Sequence, residues 1–161
     1  MQEDSIDSIK EDSIFLYTDG SSRGNPGPGG YGVVLKCGKH YKELSAGFVR
    51  TTNNRMELLA VIEGLKAIKK RNLQINVYSD SSYVVKAITE GWLDKWKLKG
   101  LSKQKNPDLW LKYIEVSNGL NINFFWIKGH AGHPENERCD LLAVEAASKN
   151  DLLVDAGYIE R

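Results

Sequence analysis

Cysteine and long hydrophobic runs are scarce in this sequence, and both shortages exclude classes of protein. Cys37 and Cys139 are the two cysteines among 161 residues, and they form no Cys-x-x-Cys pair. The start of the chain is acidic and lacks the basic-then-apolar pattern of a signal peptide, so we expect reduced thiols and a cytoplasmic location. No apolar stretch approaches the roughly 18 residues that a membrane-spanning helix requires, which excludes a membrane protein.

Length and composition are those of one ordinary globular domain. Hydrophobic residues make up 41% of the chain and charged residues 27%, close to the averages of soluble domains. These fractions exclude a disordered chain, a coiled coil and a collagen-like repeat. We expect a loosely ordered acidic leader over residues 1–12 and a single domain over residues 13–158.

The net charge of +1 averages over segments of opposite charge. Residues 1–12 hold five acids against one lysine, and residues 150–161 hold three acids against one arginine. The remainder is basic and includes an acid-free run of lysines, at Lys95, Lys97, Lys99, Lys103 and Lys105. Trp92, Trp96 and Trp110 lie in and around this run, which favours a nucleic-acid-binding patch over the alternative, a solvated helix face.

Apolar periodicity and turn residues predict a mixed α/β fold. Three β-prone segments, at residues 14–18, 31–36 and 41–49, are joined by turn signals as in an antiparallel meander. Helices and strands then alternate, in the approximate order βββαβααβα. The later strands are predicted at residues 73–78 and 122–127, and the helices at 81–90 and 92–100 and after Thr52, Pro107 and Pro134. This order predicts a five-stranded mixed sheet, three antiparallel strands followed by parallel additions, with helices on both faces.

The helix after Thr52 has the clearest pattern. Its apolar residues recur at helical spacing, at Leu58, Ile62, Leu65 and Ile68. The basic residues that follow, 69–71, suit the C-terminal turn of a helix because they complement its dipole, so we expect the helix to end among them.

The glycine-rich segment at residues 20–30 carries no nucleotide-binding signature. It lacks the lysine and hydroxyl residue of a Walker loop, and it is not a Gly-x-Gly-x-x-Gly motif before a helix. We interpret it as a turn whose backbone amides approach a nucleic-acid backbone, with a plain loop as the alternative.

Asp19 and Asp80 each end a predicted apolar strand. If the two strands are neighbours, both carboxylates project from the same edge of the sheet, where α/β proteins bind ligands. Each aspartate has a structural alternative, Asp80 as the N-cap of the next helix and Asp19 as a turn residue before glycine. The pair at matching strand ends gives the functional interpretation the same weight as the structural one.

Two further acids lie among apolar neighbours. Glu57 falls near the start of the first helix, between Met56 and Leu58. Alone it would complement the helix dipole, but its neighbours favour an inward orientation. Asp140, in the last helix, is either exposed by its helical phase or buried with a partner.

Four acids gathered in one place would repel one another unless a cation lay among them. Hard oxygen ligands suit Mg²⁺, with Mn²⁺ as a substitute. Two such ions about 4 Å apart activate water and stabilise an in-line phosphoryl displacement. If Asp19, Glu57, Asp80 and Asp140 do meet, they would suit a two-metal site of this kind.

His130 lies between glycines, which predicts a mobile loop. No glutamate follows it as in the His-Glu-x-x-His zinc motif, and a zinc site would also need thiolate or further imidazole ligands. We interpret His130 as a group that moves protons or helps the product to leave, with a loop or cap role as the alternative. His133, directly before Pro134, fits a helix start better than catalysis.

Five short motifs carry further information. They are TDGS at residues 18–21, GNPG at 24–27, TTNNRME at 51–57, SDS at 79–81 and WIKGHAGHPENERCD at 126–140. In this order they resemble bacterial ribonuclease HI, and the resemblance extends over residues 13–158. Five motifs in the right order are highly specific, whereas the Asp-Gly pair alone would be weak.

The resemblance implies a ribonuclease H-like fold and an endonuclease that hydrolyses the RNA strand of RNA–DNA hybrids, leaving 5′-phosphate and 3′-hydroxyl ends. It implies that the four carboxylates named above hold two Mg²⁺ ions and that His130 is the catalytic-loop histidine. We expect a monomer without an obligate protein partner.

The resemblance also implies which residues bind the hybrid. The contact positions fall on Ser22, Asn25, Asn53, Asn54 and Ser82. A DNA-phosphate pocket matches Arg50, Thr52 and Asn25, and a basic protrusion over residues 92–110 includes Trp92, Trp96, Lys97 and Lys99. Ser22 and Ser82 stand where many relatives carry cysteine and glutamine, and the protrusion is several residues shorter than in long-handled members. These departures concern affinity and cleavage pattern, not the reaction.

Two other classes of function are alternatives to the endonuclease. An inactive hybrid-binding module of the same fold would lack one or more of the four acids, and all four are present. An actin- or sugar-kinase-like phosphotransferase also has an Asp-Gly turn after its first strand. Such an enzyme needs a second lobe, for which 161 residues leave no room.

Overall fold

The computed structural model describes residues 13–128 and 132–159. Within them the elements in chain order are β1 (Ile14–Ser22), β2 (Gly27–Cys37), β3 (His40–Thr51), α1 (Asn53–Ala67), β4 (Gln74–Ser79), α2 (Ser82–Thr89), α3 (Trp92–Lys99), a 3₁₀-helix (Leu101–Lys103), α4 (Pro107–Ser117), β5 (Asn121–Trp126) and α5 (Pro134–Ala147). The predicted leader, residues 1–12, and the predicted catalytic residue His130 lie outside the described residues.

The strands form one mixed sheet in the order β3-β2-β1-β4-β5. β2 pairs antiparallel with both β1 and β3, whereas β4 pairs parallel with β1 and β5. The predicted sheet, three antiparallel strands followed by parallel additions, is confirmed. Because β1 and β4 are parallel neighbours, their carboxyl ends meet at one edge of the sheet.

Helices cover both faces of the sheet, as predicted. α1 packs on one face, where its buried residues surround Leu16 of β1. The fully buried members of its apolar stripe are Leu58, Ile62 and Leu65. α5 covers the opposite face, where Cys139 packs against Val34 of β2. Full burial of a leucine-sized side chain contributes about 1.5–3 kcal/mol, so the stripe of α1 is a principal source of stability.

α1 ends earlier than the basic residues predict. The helix stops at Ala67, and Ile68 adopts an extended conformation with φ −77° and ψ 122°. This turn of the backbone carries the Ile68 side chain into the core, where it is buried. Residues 69–71 therefore follow the helix, because burial of Ile68 is stronger than the dipole preference of the lysines.

The three helices predicted between β4 and β5, at residues 81–90 and 92–100 and after Pro107, are present as α2, α3 and α4, so the approximate order βββαβααβα was one helix short. A 3₁₀-helix lies between α3 and α4. A glycine at each end of α3, Gly91 and Gly100, has a positive φ and separates α3 from its neighbours.

No helix in the described part of the chain is both long and apolar enough to cross a membrane.

The glycine-rich segment is mostly strand, so its interpretation as a turn was wrong for most of its length. β1 continues to Ser22 and β2 begins at Gly27. Glycines are required in this strand because of its contact with α5, and not because of a turn. A Cβ at Gly30 or Gly32 would overlap the carbonyl oxygens of Ala143 and Cys139. These glycines let the helix backbone lie directly on β2.

The chain after α5 returns to the sheet edge. Leu153 forms a parallel bridge with Phe48 of β3. The Val49 N–H donates to the Leu153 carbonyl over 2.8 Å, and the Leu153 N–H donates to the Gly47 carbonyl over 2.8 Å. This return places Asp155 beside the start of α1, where it contacts Arg55.

Candidate active site

Asp19 lies inside β1, opposite Gly32 of β2, and not in a turn. It is 3% exposed, and its Oδ1 accepts a hydrogen bond of 2.9 Å from the Gly20 N–H. The turn-residue alternative for Asp19 is therefore wrong. A carboxylate in this buried position carries a desolvation cost that a purely structural role does not explain.

Asp80 follows the last residue of β4, and the cap of the next helix is its neighbour. The Ser81 hydroxyl accepts a hydrogen bond of 3.2 Å from the Val84 N–H, so Ser81 is the N-cap of α2. The N-cap alternative for Asp80 is therefore wrong. With Ser81 as the cap, the Asp80 carboxylate is not needed to begin the helix.

Trp126 holds the backbone of Asp80 and was missed by the sequence argument. Its Nε1–H donates to the Asp80 carbonyl over 3.1 Å. The Lys86 ammonium lies 5.7 Å from the centre of the same ring. This contact depends on the parallel register of β4 and β5, which pairs Ser79 with Trp126. The only signal in the sequence was the tryptophan at the end of a predicted strand.

Glu57 reaches the same edge from α1. One of its oxygens, Oε2, is buried and has no hydrogen-bond partner among the described residues. β1 and α1 are in close contact here, since a Cβ at Gly20 would overlap the backbone of Met56 and Glu57. This contact brings the Glu57 side chain to the edge of the sheet. The predicted inward orientation of Glu57 agrees with this burial.

The structure brings together three of the four predicted carboxylates. One oxygen from each of Asp19, Glu57 and Asp80 lies within 4.8 Å of the others. Burial, and then the charge of Asp80, raises the pKa of Asp19 to about 8. Burial, and then the charge of Asp19, raises the pKa of Glu57 well above its ordinary value. Two acids that resist ionisation, beside the third carboxylate of Asp80, fit a divalent cation with oxygen ligands.

Asp140, the fourth predicted ligand, is half-buried on α5 and is not a member of this three-carboxylate cluster. Its negative charge is nevertheless close enough to contribute to the raised pKa of Asp19, after burial and Asp80. His130 lies outside the described residues.

Several of the predicted hybrid-binding residues are joined by hydrogen bonds next to the cluster. The Ser22 N–H and hydroxyl both donate to Asn53 Oδ1, over 2.8 and 3.2 Å. The Asn53 N–H donates to Asn25 Oδ1 over 3.0 Å. This network ties the end of β1, the following turn and the first residue of α1 into one surface.

The other predicted contacts flank this network. Thr52 is the N-cap of α1, and its hydroxyl accepts a hydrogen bond of 3.3 Å from the Arg55 N–H. Arg50, Asn54 and Ser82 are exposed. The N-terminus of α1, with Arg50 two residues before its N-cap, suits a phosphate group.

The tryptophans of the lysine-rich segment divide between core and surface. Trp110 is fully buried, and Trp96 packs edge-on against it with ring centres 5.7 Å apart. Trp92, on the first turn of α3, is 38% exposed, and Lys97 and Lys99 are exposed on the same helix. Of the three tryptophans, Trp92 is the most exposed.

Comparison with known proteins decides the family. The family model for RNase H matches residues 11–148 of this chain. The chain belongs to the RNase H family. The ribonuclease H of Desulforamulus reducens is 55% identical over 147 residues, which cover 88% of this chain and 92% of that protein. The ribonuclease H of Aeromonas hydrophila is 53% identical over 150 residues, which cover 90% of this chain and 96% of that protein.

Solved structures of RNase H proteins share the fold. LC9-RNase H1, a type 1 RNase H with the type 2 active-site motif, has a TM-score of 0.76 at 33% identity, covering 84% of this chain and 72% of that one. LC11-RNase H1 in complex with an RNA/DNA hybrid has a TM-score of 0.61 at 30% identity, covering 83% of this chain and 96% of that one. The sheet order described above is therefore that of the RNase H fold.

We expect Gly20→Ala to separate two of the carboxylates. The added methyl group overlaps the backbone of α1 at Met56 and Glu57, so β1 and α1 must move apart. A displacement of about 1 Å at a catalytic group costs on the order of 100-fold in rate, and overpacking costs about 1–3 kcal/mol of stability. Steady-state cleavage rates and urea unfolding of the same preparations measure both effects.

Gly119→Ala is the control for this variant. Gly119 has φ +77° and open space around its Cβ position, so alanine there strains the backbone without a clash. It should lower stability by about 1–2 kcal/mol and leave the cleavage rate unchanged. Full activity of Gly20→Ala would show that the contact between β1 and α1 does not position Glu57.

We expect Asp19→Asn to stabilise the metal-free protein at neutral and alkaline pH. Burial, followed by the charge of Asp80, raises the pKa of Asp19 from 3.8 to about 8. The folded protein therefore holds more protons than the unfolded chain between about pH 4 and pH 8, and the free energy of unfolding falls as pH rises through this window. Asparagine removes this penalty, which is on the order of 1 kcal/mol or more at pH 8.

Thermal unfolding in EDTA at pH 5 and pH 8 measures this effect. The variant should exceed the wild type at pH 8, and the difference should shrink at pH 5. Mg²⁺ should stabilise the wild type more than the variant, because the cation offsets the same repulsion. Asp151→Asn, at an exposed acid, is the matched control. A variant less stable than the wild type at pH 8 would contradict the proposed repulsion.

Proposed function

We propose that this RNase H family member is an endonuclease that hydrolyses the RNA strand of RNA–DNA hybrids, with Asp19, Glu57 and Asp80 at its catalytic centre. The observation that carries the proposal is the three-carboxylate cluster around the buried Asp19, with oxygens within 4.8 Å of one another, in a chain of this family. The hybrid-bound structure of LC11-RNase H1, which shares the fold, supports the choice of substrate.

Divalent cations fit the cluster, and Mg²⁺ is the proposed species. Asp19, Glu57 and Asp80 are the proposed ligands, and Asp140 is the proposed fourth, through the half-buried side of α5. Bound there, two Mg²⁺ ions supply an activated water and charge stabilisation of the leaving 3′ oxygen. The buried Glu57 Oε2, without a hydrogen-bond partner in the described residues, has unused acceptor capacity for such a cation.

The residues around the cluster hold the carboxylates in place. The Gly20 N–H fixes one oxygen of Asp19, and the Trp126 indole fixes the backbone of Asp80. Rigid ligands reduce the rearrangement needed when charge develops on the phosphate. His130 is the proposed group that moves a proton or aids product release.

The predicted binding residues are proposed to contact both strands of the hybrid. Ser22, Asn25, Asn53, Asn54 and Ser82 offer hydroxyl and amide groups to 2′-hydroxyls in the shallow minor groove of the hybrid. The DNA strand would lie against Arg50 and Thr52 and against the protrusion, with contacts from Trp92, Trp96, Lys97 and Lys99. Trp96 can contribute only its partly exposed edge, because its ring packs on Trp110.

A panel of end-labelled substrates tests the function. An RNA–DNA hybrid, single-stranded RNA, double-stranded RNA and double-stranded DNA are each incubated with the protein and Mg²⁺, with EDTA as the control. Cleavage of only the RNA in the hybrid, abolished by EDTA and leaving 5′-phosphate ends, is expected. Tight hybrid binding without cleavage in Mg²⁺ or Mn²⁺ would contradict the proposed enzyme and favour a binding module.

Recognition of the backbone predicts a clear salt dependence. Each phosphate neutralised by lysine or arginine releases condensed counterions, so log affinity for the hybrid should fall linearly with log salt concentration. Lys97→Gln and Lys99→Gln together should reduce the slope by about 1–2 and change sequence preference little. Filter binding of the hybrid between 50 and 200 mM salt, about the range over which this effect is usually resolved, measures the slope.

The oligomeric state and the cellular location are two further parts of the proposal. We propose a monomer, since the predicted site draws on one chain. A cytoplasmic location is proposed because Cys37 and Cys139 are not joined in a disulfide, as is usual in a reducing compartment. Analytical ultracentrifugation measures the assembly directly, and a dimer would contradict the first proposal.

A further inference from the structure

A groove rimmed by lysines lies at the end of the sheet opposite to the carboxylate cluster. It has a volume of about 380 Å³ and is formed by the start of β1, the β2–β3 hairpin and the residues that follow α1. Ile14, at its floor, begins the strand in which Asp19 is the sixth residue, roughly 17 Å further along. The groove is therefore separate from the proposed active site.

The floor of the groove is apolar and its rim is positive. Ile14, Leu35 and Ile68 are buried at its base. The exposed rim residues include the three lysines Lys42, Lys69 and Lys70. Lys36, also at the rim, is already paired with Glu135 over 2.7 Å.

The three rim lysines have no acidic partner in the described part of the chain, where other lysines form ion pairs. Their charges add to one another over a surface with an apolar base. The chemistry of the groove therefore suits a segment that combines carboxylates with a few aliphatic side chains.

The leader, residues 1–12, has this composition. It carries Glu3, Asp4, Asp7, Glu11 and Asp12 against a single lysine, together with Ile6 and Ile9. It joins the domain at Ser13, directly before Ile14 of the groove floor. Twelve residues reach at most about 40 Å, so every lysine of the rim is within reach.

We propose that the acidic leader, residues 1–12, binds in this lysine-rimmed groove, with its carboxylates against Lys42, Lys69 and Lys70 and its isoleucines toward the apolar floor. The tether makes the encounter intramolecular, with an effective concentration in the millimolar range. Exposed ion pairs are individually weak, so docking depends on several of them together and decreases as salt is added.

Cys37 provides a reporter at the groove. It lines the groove, whereas Cys139, the other cysteine, is fully buried and is expected to react slowly. Ser8→Cys in the full-length chain places a thiol in the leader. Its disulfide with Cys37, formed in oxidised glutathione and detected by peptide mapping, measures how often the leader occupies the groove. Cys37→Ser in the same background identifies the bond.

Charge reversal at the rim separates docking from random encounter. Lys69→Glu with Lys70→Glu should slow the disulfide by about tenfold at low salt, and added salt should slow it in the parent but not in the reversed variant. Lys112→Glu with Lys95→Glu, exposed lysines away from the groove, is the matched control and should leave the rate unchanged. Equal rates in the reversed and parent proteins would overturn the proposal and leave the groove to a different ligand.

Amide chemical shifts give a second measurement without an added thiol. Glu3→Gln, Asp4→Asn and Asp7→Asn are combined in the full-length chain and compared with the wild type. We expect shift changes at Leu35, Tyr41 and Ile68, around the groove, and a similar pattern in the wild type when salt is raised. Changes confined to the leader and the first residues of β1 would overturn the proposal. Asp151→Asn, in the other acidic segment, should leave the groove amides unchanged.

Discussion

Asp80→Asn is expected to abolish turnover while hybrid binding is retained. The substitution keeps the size of the side chain and removes one of the three carboxyl groups of the cluster. The Trp126 indole bonds to the Asp80 backbone and the Ser81 hydroxyl caps α2, so neither contact needs the carboxylate. Loss of one group that stabilises charge at the reacting centre costs at least about 100- to 1,000-fold in kcat.

Single-turnover cleavage and filter binding of the same labelled hybrid measure the two effects separately. Asp151→Asn, the same change at an exposed acid, should match the wild type in both. Asp80→Asn should bind the hybrid within a few fold of the wild type, since phosphate contacts elsewhere dominate affinity. Parallel losses of binding and cleavage would show that Asp80 supports the fold and not the chemistry.

Arg55→Met is expected to lower the free energy of unfolding far more than a substitution at an exposed basic residue. Arg55 is 2% exposed and donates to Asp155 from Nε over 2.7 Å and from Nη2 over 3.0 Å. It also donates to Asp108 over 2.9 and 2.7 Å and to Asn106 over 3.2 Å. These bonds join α1, the start of α4 and the segment after α5.

Removing the guanidinium leaves Asp155, whose side chain is 8% exposed, without its cation. Breaking a buried ion pair from one side costs about 3–5 kcal/mol, which corresponds to roughly 10 °C in Tm for a chain of this size. Urea and thermal unfolding measure the loss, and Lys39→Met, at an exposed lysine in the turn between β2 and β3, should cost less than about 0.5 kcal/mol. A loss below about 1 kcal/mol for Arg55→Met would show that the network contributes little.

The sequence predicts the elements that depend on local pattern. The apolar stripe of α1 indicated its buried face because helical spacing places those residues on one side. Asp19 and Asp80 follow the apolar parts of two predicted strands, and they indicated a shared edge because parallel neighbouring strands run in the same direction. Their meeting could therefore be predicted before any distance was known, whereas the position of Glu57 was indicated by its apolar neighbours and by the family resemblance.

Contacts between distant segments could not be predicted in this way. The bond from Trp126 to Asp80 requires the register of β4 and β5, and the approach of Gly20 to α1 requires the packing of two elements. The Arg55 bonds to Asp155 join residues one hundred positions apart. Composition could not distinguish the buried Trp110 from the exposed Trp92, because burial depends on how α4 packs against α1.

Binding of Mn²⁺ by the wild type and by Asp19→Asn, followed by electron paramagnetic resonance, shows whether the three carboxylates form the divalent-cation site. We expect the wild type to reduce the signal of aqueous Mn²⁺ and Asp19→Asn to bind the ion at least about 10-fold more weakly. Glu63→Gln, an acid of α1 that pairs with Lys66 and not with the cluster, should bind as the wild type does. Equal Mn²⁺ affinity in the wild type and Asp19→Asn would contradict the account.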